Sequence, residues 1–360
     1  MNKQTNTPEL RFPEFDEEWE KRKLGEVVNY KNGGSFESLV KNHGVYKLIT
    51  LKSVNTEGKL CNSGKYIDDK CVETLCNDTL VMILSEQAPG LVGMTAIIPN
   101  NNEYVLNQRV AALVPKQFID SQFLSKLINR NQKYFSVRSA GTKVKNISKG
   151  HVENFNFLSP DYTEQQKIGN FFSKLDRQIE LEEKKLDLLE QQKRGYMQKI
   201  FSQELRFKDE NGNKYPNWQT VKIGSILKER KERSGDGEML SVTINHGIVK
   251  FDEIDRKDNS SKDKSNYKKV YKNDIAYNSM RMWQGASGKA EFDGIVSPAY
   301  TVVTPIENIN SNFIAYYFKT HNMIHKFRIN SQGLTSDTWN LKYKQLKDIK
   351  ISICSKEEQD

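Results

Sequence analysis

Cysteine is scarce in this chain of 360 residues, which has 4, at positions 61, 71, 76 and 354. No two of them form a CxxC pair, and no histidine stands at ligand spacing from them. The sequence therefore predicts neither a zinc site nor a disulfide framework. Among the 5 histidines only His321 and His325 have the i, i+4 spacing of metal ligands, and no third ligand accompanies them. We expect that the chain binds no metal.

Long apolar runs are missing as well. The longest, such as residues 80–84 and 110–114, have the length of core strands and fall far short of the ~18 residues that a membrane span needs. The amino terminus, MNKQTNTPEL, lacks the charged and then apolar pattern of a secretory signal. These absences predict a soluble protein of the cytoplasm.

Catalytic motifs are the third absence. None of the 9 prolines neighbours another, which excludes the Pro-Pro catalytic loop of an adenine methyltransferase. The only GxG, at residues 235–237, lies in a polar loop rather than after a buried strand, and no P-loop is present. A nuclease-like set of Asp161, Glu182 and Lys184 can be assembled, but the last two lie on a predicted helix as solvated charges. We expect the chain to catalyse no reaction by itself.

An internal repeat organises what is present. The tetrapeptide ELRF at residues 9–12 recurs at residues 204–207, which is 195 positions later. Each copy leads to a tryptophan, Trp19 or Trp218, and then to a short apolar segment. The similarity continues at lower fidelity through the rest of both copies, so the sequence predicts two homologous lobes.

The length agrees with this repeat, since 360 residues exceed the ~100 to 200 of an ordinary domain. We expect lobes at residues 1–160 and 204–353, a helical segment at 161–203 between them, and the start of a second helical segment at 354–360. The chain has 55 Lys and Arg against 46 Asp and Glu, a formal net charge of +9 whose excess belongs to the lobes. A moderately basic surface of this kind suits an acidic partner such as nucleic acid.

Each lobe has a mixed pattern. Short apolar runs at residues 45–51 and 111–114, separated by Asn and Gly clusters, predict strands and turns. Residues 122–135 place Phe123, Leu127 and Tyr134 at helical spacing and predict a helix. The fold class that follows is α+β, with a twisted sheet in each of two homologous lobes.

The segment between the lobes predicts one long helix over residues 164–202, with Tyr162 and Thr163 as its cap. It has no proline, and apolar residues recur at alternating spacings of four and three, as in a coiled-coil seam. At ~1.5 Å per residue the helix would be about 58 Å long. A stripe this narrow needs another helix beside it. We assign to a helix or subunit interface the seam residues Ile168, Phe172, Leu175, Ile179, Leu186, Leu189, Tyr196 and Ile200.

Polar loops with interleaved basic and aromatic residues are the best candidates for contacts with DNA. Arginine and glutamine suit bidentate contacts to guanine and adenine edges, and lysine suits phosphates. The alternative for each loop is a solvated surface that binds nothing. The candidate DNA-binding residues of the first lobe are Gln87, Gln108, Arg109, Arg138, Lys143 and Lys145. Those of the second lobe are Arg281, Trp283, Gln284, Lys289, Arg328 and Gln332.

Three stretches resemble one protein family: ELRFPEFDEEWEKRKLGEV at the start, TEQQKIGNFFSKLDRQIE at the beginning of the long helix, and a second ELRF with its tryptophan after the helix. The whole chain is similar to the specificity subunits of type I restriction-modification systems. The resemblance implies that each lobe is a target-recognition domain that reads one half of a bipartite, asymmetric site in double-stranded DNA. It implies that the helical segments set the spacing and dock methyltransferase subunits, and that restriction subunits join through the complex. S-adenosylmethionine, ATP and magnesium then belong to the partner subunits, and this chain binds no cofactor.

In one respect the sequence departs from that family. Its members usually finish with a second long helix antiparallel to the central one, whereas this sequence stops where Glu358 and Gln359 align with Glu164 and Gln165. Without that distal helix the seam lacks a partner within the chain, so we expect self-association through residues 164–202 or contact with methyltransferase subunits. The alternative function is a non-catalytic scaffold whose rod joins two protein-binding lobes, and competitor DNA would not change what such a scaffold binds.

Overall fold

The computed structural model describes residues 8–69, 72–86, 90–141, 144–254 and 263–360. The chain divides into two compact units, Met1–Lys185 and Leu186–Asp360, and the boundary falls inside one long helix. Each unit contains one lobe of mixed strands and helices. Among the described residues, no helix is both long and apolar enough to cross a membrane.

The first lobe alternates short strands with short helices. Its strands are β1 (Glu20–Lys23), β2 (Val28–Asn32), β3 (Tyr46–Ile49), β4 (Tyr66–Ile67), β5 (Leu80–Ile83), β6 (Ser85–Glu86), β7 (Thr95–Ile97), β8 (Tyr104–Leu106), β9 (Val110–Pro115), β10 (Lys145–Asn146) and β11 (Asn156–Ser159). Its helices are α1 (Leu24–Val27), α2 (Ser121–Arg130), α3 (Gln132–Arg138) and α4 (Lys149–Glu153), with a 3-10 turn at Glu37–Leu39.

A four-stranded antiparallel sheet in the order β2-β9-β5-β7 forms the centre of this lobe. All four residues of β5 are buried, because alternate side chains enter different apolar clusters. Leu80 and Met82 enter the cluster that contains α2, whereas Val81 and Ile83 enter another cluster. Burial on both faces accounts for the continuous apolar run at residues 80–84.

Three smaller sheets complete the described part of the first lobe, one of which is the antiparallel pair of β6 and β10. Strand β3 lies between β4, with which it is antiparallel, and β8, with which it is parallel. Strand β1 pairs with β11, so that Glu20 lies opposite Ser159 and the two ends of the lobe meet.

The second lobe has the corresponding elements. Its strands are β12 (Gln219–Lys222), β13 (Leu227–Glu229), β14 (Leu240–Thr243), β15 (Gly247–Lys250), β16 (Lys268–Val270), β17 (Ile275–Asn278), β18 (Ser287–Lys289), β19 (Gly294–Val296), β20 (Tyr300–Pro305) and β21 (Lys350–Ile353). The helix between the lobes is α5 (Tyr162–Phe201), and the helices of the second lobe are α6 (Ile223–Ile226), α7 (Ser311–Phe318), α8 (His321–Asn330), α9 (Tyr343–Leu346) and α10 (Lys356–Gln359). Two 3-10 turns lie at Phe251–Glu253 and Met282–Gln284.

The central sheet of the second lobe has the order β13-β20-β17-β18, which matches β2-β9-β5-β7 strand for strand. Ile275 and Tyr277 of β17 enter one apolar cluster and Ala276 enters another, as in β5. Strand β12 pairs with β21 as β1 pairs with β11. The predicted α+β fold with two homologous lobes is therefore confirmed.

The helix expected over residues 122–135 is two helices in the structure. Helix α2 ends where Asn131 leaves helical geometry and its side-chain amide donates to the Leu127 carbonyl at 2.8 Å. An asparagine that satisfies the last carbonyls in this way ends a helix while the apolar spacing continues. The second lobe has the same break between α7 and α8, where the Thr320 side chain caps α8.

The long helix α5 confirms the element predicted between the lobes. Its cap differs from the prediction of Tyr162 and Thr163. The Asp161 carboxylate accepts hydrogen bonds from the Thr163 amide at 2.7 Å and the Glu164 amide at 3.0 Å. A carboxylate at this position satisfies free amides of the first turn, which the neighbouring tyrosine cannot do.

Most of the predicted seam on α5 is exposed. Ile168 packs against the core of the first lobe, and Ile200 is half-buried. The other side chains are between 41% (Phe172) and 60% (Leu186) exposed. Leu181 and Leu188 are also exposed, and their separation of seven residues places them together on another face. The exposed seam residues are Phe172, Leu175, Ile179, Leu186, Leu189 and Tyr196.

Candidate nucleic-acid interface

The carboxyl end of β17 opens into a turn that carries three candidate residues of the second lobe. The Arg281 amide donates to the Asn278 carbonyl at 3.0 Å, and the 3-10 turn Met282–Gln284 follows. The turn ends at Gly285, whose φ of +84° favours a residue without a Cβ. Arg281, Trp283 and Gln284 thus lie on a short hydrogen-bonded turn at the end of the central sheet.

A loop after α8 lies beside this turn. The Leu341 amide donates to the Ser279 carbonyl at 2.8 Å, which joins the loop to the turn. The rings of Trp283 and Trp339 pack edge to face with their centroids 5.2 Å apart. The Arg328 guanidinium lies 5.6 Å from the centroid of Trp339. The structure therefore brings together candidates that are distant in sequence.

Gln332 belongs to the same loop. Its backbone forms a β-bridge with Asn340, and its side-chain oxygen accepts a hydrogen bond from the Gln345 amide at 2.9 Å. Trp283 also has a partner, since its indole NH donates to the Met280 carbonyl at 3.1 Å. The two loops are therefore fixed by hydrogen bonds and ring packing rather than free.

Lys289 lies apart from these residues. It is in β18, opposite Ile275 at the beginning of β17, whereas the turn follows the other end of that strand. Its ammonium forms an ion pair with Glu291 at 2.9 Å, and its side chain is 14% exposed. Lys289 is consequently a paired and largely buried cation at the other end of the strand, although the sequence places it close to the turn.

Three basic residues at this end of the sheet are not among the candidates that the sequence predicts. Lys268 donates to the carbonyl of Tyr300, the first residue of β20, at 2.5 Å, and its backbone pairs with Arg233. Burial lowers the pKa of Lys268. The negative charge of Glu229 opposes this shift, and the positive charges of Arg233 and Lys342 add to it. In the part of the chain that the structure describes, no carboxylate forms an ion pair with Lys268. Positions 233, 268 and 342 share no local motif, so only folding shows that they form one basic group.

In the first lobe, the equivalent sheet end lies between the carboxyl end of β5 and the amino end of β9. Strand β10 pairs with β6 directly after β5, which places Lys145 opposite Glu86. Arg109 precedes β9 with a φ of +66°, and its side chain is exposed. The amide of Gln108 forms a hydrogen bond with the Glu37 carboxylate. The pKa of Glu37 is lowered mainly by a hydrogen bond from Ser35, with a further contribution from Gln108.

The remaining first-lobe candidates are less well defined. Arg138 is at the end of α3, where its guanidinium stacks 3.8 Å from the ring centroid of Tyr134 and donates to the Tyr134 carbonyl at 3.2 Å. It is exposed. Gln87 and Lys143 lie outside the described residues.

An equivalent glycine follows α3 in the first lobe and α8 in the second lobe. Gly141 has a φ of +135° and Gly333 a φ of +149°. A Cβ on Gly141 would lie 1.9 Å from the Val144 carbonyl oxygen, and a Cβ on Gly333 would lie 2.6 Å from that of Thr338. Glycine is therefore required in both lobes, and residues 139–141 (SAG) and 331–333 (SQG) mark one shared turn.

The family model for the type I restriction modification DNA specificity domain matches residues 16–191 and 215–360. Together the two matches cover most of the chain, one for each lobe. The chain belongs to this family.

Three relatives give the extent of the similarity. The specificity subunit of the type I restriction enzyme MjaVIII from Methanocaldococcus jannaschii is 21% identical over 235 residues, which are 62% of this chain and 53% of that protein. The chain thus spans about half the length of this curated relative. The crystal structure of the type I restriction-modification S subunit from M. genitalium has a TM-score of 0.60 at 17% identity, over 98% of this chain and 89% of that one. A chain from a structural study of complex assembly and conformational transition in a type I restriction-modification system has a TM-score of 0.51 at 13% identity, with the same coverage. The two structures share the fold.

The first specificity domain is tied to the beginning of α5 by two consecutive side chains. Glu164 is fully buried, and its carboxylate accepts hydrogen bonds at 2.8 and 2.6 Å from the guanidinium of Arg11 in the first ELRF. The side-chain oxygen of Gln165 accepts a hydrogen bond from the Asp120 amide at 3.0 Å. Bidentate pairs of this kind fix direction as well as distance.

The second specificity domain repeats these contacts at α10. Arg206 of the second ELRF donates to Glu358 at 3.0 and 2.6 Å. The side-chain oxygen of Gln359 accepts a hydrogen bond from the Asn310 amide at 3.0 Å. The contacts agree with the sequence alignment of these two residues with Glu164 and Gln165.

No group of three or more His, Cys, Asp or Glu among the described residues is arranged to hold a metal ion. Cys61, Cys76 and Cys354 are free thiols, and Cys71 lies outside the described residues. His321 and His325 are exposed on α8.

Proposed function

We propose that this chain is the DNA-reading subunit of a type I restriction-modification complex, in which each lobe reads one half of a bipartite, asymmetric site in double-stranded DNA. The equivalence of the two sheet ends carries this proposal. In each lobe the same strand, β5 or β17, ends beside segments that carry exposed or half-exposed Arg, Gln and Lys side chains. Two copies of one scaffold with different loops suit a site whose halves differ in sequence.

Within each lobe the candidates divide by chemistry. Arg281, Gln284 and Gln332 have the donors and acceptors that read base edges in the major groove. Lys268 and Lys145, with the other lysines and arginines at the sheet ends, suit phosphate contacts that position the protein on the duplex. Lys289 remains a predicted phosphate contact, but a phosphate there would have to compete with the Glu291 carboxylate.

The central helix has two roles in this proposal: it sets the spacing between the half-sites and docks methyltransferase subunits. Its exposed apolar side chains support docking, because exposure of such a stripe to water is unfavourable and a partner subunit would bury it. In the isolated chain, we expect self-association through residues 164–202. Sedimentation of a monomer at micromolar concentration would contradict self-association.

The chemistry of the complex belongs to its other subunits. This chain contributes recognition and no catalysis, whereas S-adenosylmethionine serves the methyltransferase subunits, and ATP and magnesium serve the restriction subunits that join through the complex. Because its target is cellular DNA, we place the protein in the cytoplasm.

The decisive experiment is co-expression with the cognate methyltransferase, followed by genome-wide mapping of methylated adenines. A split motif with a constant gap is the expected result. Absence of methylation by a complex that assembles would overturn the proposal.

Binding of the purified complex to its motif should also fall steeply with salt, because phosphate contacts release counterions. If the chain were instead a scaffold for two proteins, competitor DNA would change nothing in pull-downs of its partners.

A further inference from the structure

One position in each lobe holds together two segments that are distant in sequence. Asp120 caps α2 and Asn310 caps α7. Nine residues after these equivalent caps stand Asn129 and Lys319. Both side chains reach the edge of the central sheet and a nearby hairpin turn, but they do so with different chemistry.

The hairpin turns are equivalent in the two lobes. In the first lobe the turn spans residues 55–59 and is flanked by the bridge between Val54 and Leu60. In the second lobe the turn between β14 and β15 spans residues 243–247 and is flanked by the pair Val242 and Ile248. Their common position allows a comparison of the side chains that contact them.

In the first lobe Asn129 binds one residue of the edge strand β7. Its side-chain oxygen accepts from the Thr95 amide at 2.8 Å and from the Thr95 hydroxyl at 2.9 Å, and its amide donates to the Thr95 carbonyl at 2.9 Å. Gly58 of the hairpin turn is so close that a Cβ there would lie 2.2 Å from the Asn129 nitrogen. The asparagine therefore secures the strand and packs against the turn.

In the second lobe Lys319 binds two carbonyls instead. Its ammonium donates to the Ile244 carbonyl of the hairpin turn at 2.7 Å and to the Gly285 carbonyl at 2.6 Å. Gly285 ends the turn on which Arg281 and Gln284 lie. Lys319 therefore connects the hairpin turn directly to the candidate recognition turn.

The edge strands β7 and β18 differ at the position that Asn129 contacts in the first lobe. Ser287 occupies the position of Thr95, and its buried hydroxyl has no hydrogen-bond partner among the described residues. Ala315 replaces Ser125, which contacts Thr95 at 3.0 Å in the first lobe. In the first lobe the side chain at this position therefore binds the edge strand β7, whereas in the second lobe it binds the two turns and not the strand β18.

We infer that Lys319 is a positioning residue for sequence reading by the second lobe, and that it orders the turn 281–285 before DNA arrives. This inference rests on the proposed function of the turn. Two of the three ammonium hydrogens are used by the Ile244 and Gly285 carbonyls, and no carboxylate among the described residues forms an ion pair with Lys319. The side chain therefore has no visible role other than to join the two turns.

The first test measures hydrogen exchange in the free full-length chain by mass spectrometry. In the turn, the Gly285 amide donates to the Met282 carbonyl at 2.8 Å and the Ala286 amide to the Arg281 carbonyl at 3.2 Å, so both report on its order. Lys319→Met is expected to accelerate their exchange at least about tenfold, which corresponds to roughly 1.4 kcal/mol of local opening.

Lys326→Met is the matched control. Lys326 also donates to a backbone carbonyl at 2.8 Å, but that carbonyl belongs to Lys350 of β21 and not to either turn. It should leave exchange at residues 281–286 unchanged. Lys319→Arg keeps a cationic donor and should retain most of the protection. If Lys319→Met does not fold, Lys319→Gln, which supplies no cationic donor, should accelerate the exchange instead.

The second test uses the complex with its methyltransferase. Lys319→Met should relax the base preference about tenfold in one half of the split motif and leave the other half unchanged. Unchanged exchange at residues 281–286 would overturn the inference whatever the DNA result. Faster exchange with both half-sites read as before would overturn the role in specificity, and no motif even with the wild-type chain would instead count against the proposed function.

Discussion

The two lobes keep the same sheet order, the same glycine turn and the same Arg–Glu contact with the following helix. They differ in how equivalent charged residues are paired. Lys31 on β2 and Arg230, the residue directly after β13, occupy equivalent places beside the central sheet. Lys31 forms an exposed ion pair with Glu73, whereas Arg230 is paired with the buried carboxylate of Asp274. The shared contacts therefore belong to the common scaffold, whereas the buried ion pair is specific to the second lobe.

The Arg230 pair is part of a network. Asp274 accepts hydrogen bonds from Arg230 at 2.6 and 3.0 Å, from the Thr304 hydroxyl at 2.8 Å and from the Tyr271 amide at 2.9 Å. The equivalent position in the first lobe is Thr79, which carries no charge. A buried carboxylate with several donors stabilises the folded state only while the whole set is complete.

Asp274→Ala should have the largest effect, because it leaves the partly buried Arg230 without its partner. We expect a loss of about 3 kcal/mol in the free energy of unfolding of the second lobe. Glu73→Ala is the matched change in the first lobe, since it leaves the exposed Lys31 without its acidic partner, and it should cost less than about 0.5 kcal/mol. Urea unfolding fitted with a separate transition for each lobe measures both. Equal losses would show that the exposure of the pair does not decide its contribution.

Arg281→Ala should lower discrimination in one half-site by about 2 kcal/mol, or roughly thirtyfold, since a bidentate base contact would be lost. Lys145→Ala in the first lobe should weaken binding to all sequences and reduce the salt slope by about one. Binding titrations of the assembled complex against single-base variants of the motif distinguish the two effects. If the Arg281 variant lost affinity evenly, the turn would contact phosphates rather than bases.

Arg11→Met tests the contact between the first lobe and α5. The buried Glu164 carboxylate would lose its bidentate partner, so we expect roughly tenfold faster hydrogen exchange over the first turns of α5. Arg206→Met removes the same contact at α10, a helix of 4 residues, where less backbone depends on it. A larger change at α10 than at α5 would show that the two contacts do not have the same role.

The smallest expected effect is the pH dependence due to Lys319. Burial lowers its pKa from 10.5 to about 8. Between these values the unfolded chain holds a proton that the folded chain has released, so the stability of the wild-type chain should rise with pH relative to Lys319→Met. Solvent screening limits the difference to about 1 kcal/mol. Asn129 does not titrate, so Asn129→Leu compared with the wild-type chain should show no such slope.

The sequence predicted the features that depend on local patterns or on the repeat. Helix α5, the strands β3 and β9 and the two-lobe α+β fold follow from periodicity, turn residues and the recurrence of ELRF. The break after α2 did not follow, because Asn131 ends the helix through its own side chain while the apolar spacing continues. The cap of α5 was misplaced by one to two residues for a similar reason, since Asp161 acts before the apolar pattern begins.

The site was predicted only in part. The sequence predicts Arg281, Trp283 and Gln284 as candidates because they are neighbours in a polar segment. The group around Lys268 was missed, since Arg233 and Lys342 approach it only through strand pairing and the packing of loops. Lys319 was missed because a lysine that binds carbonyls has no sequence signature that distinguishes it from a solvated lysine.

When a strand is buried on both faces, burial of its apolar side chains does not select one pairing register over its neighbours. A slip of one residue along β5 or β17 would exchange one apolar cluster for the other instead of exposing apolar side chains to water. The register must then come from the strand ends, where Asp78 and Asn273 take positive φ before β5 and β17, and Gly93 and Gly285 do so before their partners β7 and β18. The slowest step in forming each lobe is therefore expected to be the closing of these turns, and substitutions there should favour misregistered, aggregation-prone intermediates.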